Sequence, residues 1–172
     1  MGADIHAFIE WFDDRHDRYF CFAEKINVRR DYLLFAVLAG VRNADYSVVP
    51  VSAPKGLPDD ISEDVVDHYY LKVSDEASIC HDLYYCSSTD ADRYIAGGST
   101  EFRVDNQWFV SNPDWHTPSW LTLKSLQYAQ HLYRQRESWS AGNISLAAII
   151  GAMESLDRLT IRPSRLVFWF DN

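Results

Sequence analysis

The run RLVFWF at residues 165–170 constrains the fold more than any other stretch. It is dense in β-branched and aromatic residues and apolar on both alternating faces, so it reads as a strand buried on both sides. A strand of that kind at the end of a sequence must be tied into a sheet, because loose ends fray. The equally apolar run around residues 5–11, in MGADIHAFIEWF, is its natural neighbour.

Between these ends the periodicity changes several times. Residues 5–11 and 19–26 read as a hairpin joined by the charged DDRHDR. In RRDYLLFAVLAGVRN, Leu33, Leu34, Val37, Leu38 and Val41 recur at helical spacing, with Asp31 near the start and Gly40 near the end. Residues 44–58 carry Pro50, Pro54, Gly56 and Pro58 and read as a surface loop. ISEDVVDHYYLKV predicts a helix capped by Asp60. Residues 74–111 carry the weakest pattern: a short helix around EASICHDLYY and a strand around QWFV. Thr122 caps a further helix, and the apolar NISLAAIIGAMESLDRL forms the last one. The expectation is one α+β domain over residues 1–172, a mostly antiparallel sheet including the N- and C-terminal strands and covered by helices.

Composition narrows the function classes. A formal charge of −9 repels polyanions, which argues against a duplex nucleic acid partner held by counterion release. Small anionic ligands need only a local cluster of donors and stay open. No stretch approaches the roughly 18 apolar residues of a membrane span. The first residues lack a secretory pattern, and the three cysteines are an odd number, so a reducing cytosol is the expected location. CHDLYYC, with Cys80, His81 and Cys86, lacks standard zinc spacing.

Asp4 and His6 lie two apart in the first strand, where they project to one face. Asp114 and His116 repeat the spacing in SNPDWHTPSWLTL, read as a Pro-bounded loop before a helix. If the two pairs meet, joined by Asp171 and Asn172, they could bind a divalent metal, supply acid and base, or only hydrogen-bond a polar ligand. Either aspartate–histidine pair could equally be a structural bridge. Arg42, Asn43 and Lys55 are further donors for phosphate or sugar, with Ser119 and Trp120 available from the second segment.

MGADIH, LLFAVLAGVRN, KGLPDD, DWHTPSWLTL and FWFDN together resemble a family of small bacteriophage and bacterial proteins. Its members begin Met-Gly-x-Asp-Ile-His and carry an Asp-x-His-Ser-x-Ser-Trp-Leu-Thr-Leu segment. Ala3, Thr117 and Ser125 depart from its usual residues, whereas Asp4, His6, Asp114 and His116 match. The resemblance implies a shared site built from the two segments and supplies no reaction. By analogy of setting, it points to a counter-defence protein in the bacterial cytosol that cleaves a phosphoester bond of a small, cyclic oligonucleotide signal. The alternatives are a non-catalytic sponge for such a nucleotide, built as a homo-oligomer, and a protein-interaction inhibitor of a host enzyme.

Overall fold

The computed structural model describes residues 2–76, 84–136 and 143–171. In chain order the elements are β1 (Ile5–Asp13), β2 (Arg18–Cys21), α1 (Tyr32–Ala39), α2 (Glu63–Tyr69), β3 (Tyr70–Val73), β4 (Tyr85–Cys86), α3 (Ser88–Ala96), β5 (Glu101–Val104), β6 (Gln107–Ser111), β7 (His116–Thr122), α4 (Leu123–Arg136), α5 (Ile144–Asp157) and β8 (Arg165–Phe170). The fold is α+β. Its strands form two four-stranded sheets, ordered β2-β1-β8-β7 and β4-β3-β6-β5, and antiparallel except for the β3–β4 pair. The chain divides into two compact units, residues 1–62 with 116–172 and residues 63–115.

In the first unit β1 and β8 pair along their lengths, from Ile5 opposite Phe170 to Glu10 opposite Arg165. All six residues of β8 are buried, as a strand apolar on both faces requires. Successive side chains alternate between faces. Ile5, Ala7, Ile9, Leu166, Phe168 and Phe170 join α1, α4 and α5 in one core, where Phe35 meets Phe170 edge-on at 5.1 Å. His6, Phe8, Glu10 and Trp169 occupy the reverse face.

Helix α1 forms where the sequence places its caps. Asp31 accepts the Leu34 N–H at 3.0 Å, and Gly40 closes the helix at φ 74°, a left-handed conformation that favours glycine. Its interior, Leu34 to Ala39, is buried throughout. Thr122 caps α4 as expected, accepting the Ser125 N–H at 3.4 Å, and Asn143 caps α5.

Two charged residues sit inside this apolar frame. Glu10 is 0% exposed; its carboxylate accepts from Arg165 Nε and from the Ser62 N–H, each at 2.6 Å. Arg165 also donates to the Asp60 carboxylate at 2.6 Å and to the Asp60 carbonyl at 2.8 Å, and its guanidinium lies 3.6 Å from the Tyr19 ring centre. This network fastens the end of the Pro-rich segment to the sheet. It also corrects the expected role of Asp60, whose carboxylate serves Arg165.

The second unit departs more from the sequence pattern. The helix expected across residues 61–73 stops at Tyr69 and continues as β3. Helix α3 lies in the region of weakest pattern, whereas the strand expected around QWFV is β6. Leu71, Cys86, Ala91 and Val110 form this unit's small core, and burial pushes the Cys86 thiol up to about 11. The short helix expected around residues 76–85 falls largely on residues 77–83, outside the described residues together with Cys80 and His81.

Candidate active site

Antiparallel pairing brings Asp4 and Asp171 to the same end of the β1–β8 ribbon. The Asp4 N–H donates to Asp171 Oδ1 at 2.8 Å, and the Asp171 N–H returns to the Asp4 carbonyl at 3.1 Å. Opposite Trp169, His6 stacks on the indole with ring centres 5.6 Å apart and planes 5° from parallel. Its Nε2 lies 3.0 Å from Asp171 Oδ2.

After β2 the chain turns back alongside β1, with the Phe22 N–H on the Ile9 carbonyl and the Ile26 N–H on the Ala7 carbonyl, both at 2.8 Å. This return delivers two cations. Lys25 Nζ stands 3.3 Å from His6 Nδ1, and Arg30 grips the Asp4 carboxylate with Nε at 2.9 Å and Nη2 at 2.5 Å. Gly2 makes room for that guanidinium, since a Cβ there would lie 2.6 Å from Arg30 Cζ.

An ammonium can only donate, so Nδ1 of His6 is the acceptor and the ring proton rests on Nε2, facing Asp171. Burial pushes the His6 imidazole below its ordinary range, more than Asp171 pulls it up, and Lys25 pushes the same way. The arrangement is an oriented, neutral imidazole with its basic nitrogen toward a cation. Arg30 in turn holds the Asp4 carboxyl below the usual carboxylate range.

His116 is placed elsewhere. It begins β7 and does not lie in a loop, and it pairs opposite Phe170, stacking on that ring at 6.0 Å on the helix-covered face. His6 therefore leaves the reverse face, and the two histidines point away from each other across the sheet. His116 Nδ1 lies 2.8 Å from Thr117 Oγ1, while its buried Nε2 has no hydrogen-bond partner among the described residues. Thr117 has φ 55° in a bulge between His116 and Ser119, a strained conformation for a β-branched residue. Asp114 is exposed in the second unit, its N–H on Asn112 Oδ1 at 3.0 Å.

The expected cluster of Asp4, His6, Asp114 and His116 is thus divided: Asp4 and His6 join Asp171, and His116 faces the other way. Among the described residues no group of three or more His, Cys, Asp or Glu side chains is disposed to hold a metal ion. Asn172 lies outside the described residues.

The remaining expected donors separate into two places. Lys55, Ser119 and Trp120 meet: the Lys55 N–H donates to Ser119 Oγ at 3.3 Å, and its ammonium sits 3.5 Å over the Trp120 ring, where burial lowers its pKa. Asn43 spends its amide on Val48, donating to the carbonyl at 2.7 Å and accepting from the N–H at 2.9 Å, a loop-bracing role. Arg42 lies 6.0 Å from the Tyr32 ring centre.

Sequence reasoning missed Lys25, Arg30 and Gly2 at the site. A partner for Asp4 was foreseeable, but only the return of the chain along β1 identifies it as Arg30. No family model, curated protein or solved structure matches this chain.

Proposed function

We propose that the protein hydrolyses a phosphoester bond of a small nucleotide at the His6–Asp171 pair. The observation that carries this reading is the imidazole itself: Nε2–H is fixed by Asp171, and Nδ1 is left basic beside the Lys25 ammonium. In this mechanism Lys25 leaves Nδ1 for a phosphate oxygen, the freed Nδ1 takes a proton from water, the water oxygen bonds to phosphorus, and the ester P–O bond breaks. The leaving oxygen takes its proton from the Lys25 ammonium or from solvent. Lys25 and Arg30 offset the charge that develops on phosphate oxygens. Cyclic oligonucleotide immune signals enter as the substrate class by analogy of setting alone, since the resemblance to phage proteins carries no reaction.

A second reading, a sponge that binds such a nucleotide without turnover, is favoured by the turning away of His116, which leaves His6 without a second imidazole as acid. Incubation with a panel of cyclic oligonucleotides, with and without chelator, separates the two by mass spectrometry. Hydrolysis predicts cleavage that falls by about 100-fold or more in His6→Gln, the scale of a lost general base. Ligand recovered intact after the protein is denatured supports the sponge, and a panel neither cleaved nor retained contradicts both.

A further inference from the structure

Arg30 faces two ways. Its guanidinium holds Asp4 beside His6, and the same side chain lines a groove of about 660 Å³ with Arg29, Tyr32, Tyr46 and Tyr133. That volume falls in the range of small-ligand sites. Two arginines therefore line one groove of a chain whose net charge is −9.

The groove's acidic group is already committed. Asp31 accepts from the Leu34 N–H at 3.0 Å, from the Tyr133 hydroxyl at 2.7 Å and from Asn143 Nδ2 at 2.8 Å. Its hydrogen-bonding capacity is turned toward the protein, leaving Arg29 as the cation with no carboxylate bonded to it among the described residues. Guanidinium groups suit bidentate contact with phosphate, and phenol rings offer flat faces to a base.

We infer that this groove binds a nucleoside phosphate, with the phosphate on Arg29 and Arg30 and the base against the Tyr32 or Tyr46 ring. The inference rests on the hydrolytic reading only for naming the ligand class, since Arg30 links the groove to His6. It adds to that reading a place where a nucleotide is held beside Arg30, whose guanidinium also grips Asp4.

Titration with adenosine 5′-monophosphate, adenosine and inorganic phosphate, followed by heteronuclear NMR of the full chain, tests it. The expected result is adenosine 5′-monophosphate shifts at Tyr32 and Tyr46, with adenosine weaker by about tenfold or more, the worth of one charge-assisted contact. Arg29→Met, at an exposed position that leaves the fold intact, weakens the nucleotide by a similar factor, and Arg29→Lys recovers part of it. Nucleotide affinity unchanged in Arg29→Met, or shifts confined to residues outside the groove, overturns the assignment. Loss of cleavage in His6→Gln would stand in that case, so failure of the groove and failure of the hydrolytic reading are told apart.

Discussion

At the scale of the residue, His6 is defined by what surrounds it more than by its spacing from Asp4. Burial holds its folded-state pKa below the ordinary 6.5. Between that lowered value and 6.5 the unfolded chain binds a proton that the folded protein refuses, so this contribution to stability is complete above 6.5 and is lost as pH falls through the folded pKa. Urea midpoints measured between about pH 7 and pH 5 should fall more steeply for the wild type than for His6→Gln, which has no such proton to bind. A wild-type midpoint that holds or rises relative to the variant would contradict the placement of the ring. His6 was legible because an imidazole in an apolar strand needs a partner, whereas Asp4 precedes β1 and is exposed, so its pairing with Arg30 does not follow from burial. Lys25 and Arg30 were not, because nothing in a charged, irregular segment announces which strand it will run beside.

At the scale of the element, the β1–β8 pair carries the most buried charges among the described residues. Removing Glu10 leaves Arg165 desolvated beside Tyr19 with only Asp60 to answer it, whereas replacing both ends removes the uncompensated charge. Glu10→Ala should cost about 3–5 kcal/mol in urea unfolding, and Glu10→Met with Arg165→Met together much less than the sum of the singles. Additive singles would show that the pair is not coupled. The caps of α1 and α4 could be read directly from Asp31, Gly40 and Thr122, whose side chains or backbone act locally; the Asn143 cap of α5 follows the same rule and was not singled out. Strand β7 escaped detection because Pro113 and Pro118 signal a loop, while its pairing depends on β8 and on the left-handed Thr117 bulge. Likewise DVVDHYY keeps a helical period up to Tyr69, and only the pairing of β3 with β6 stops it there.

At the scale of the whole molecule, two units share the chain, and the first is assembled from both ends of the sequence around the β1–β8 ribbon. That pairing was legible from apolar content alone, and it alone sets Asp171 against His6. The division of the two aspartate–histidine segments was not legible, because which face a side chain takes follows from register, and linear spacing does not record register. No helix among the described residues is long and apolar enough to cross a membrane. In the proposed mechanism Asp171 fixes the imidazole so that Nδ1 acts as the base. Single-turnover cleavage of a cyclic dinucleotide by Asp171→Asn tests it most directly, because the asparagine amide keeps the Asp4 N–H bond while presenting its NH₂ to Nε2. The expected rate is lower by about 100-fold or more with the unfolding midpoint nearly unchanged; cleavage at the wild-type rate would rule out Asp171 as the group that orients the base.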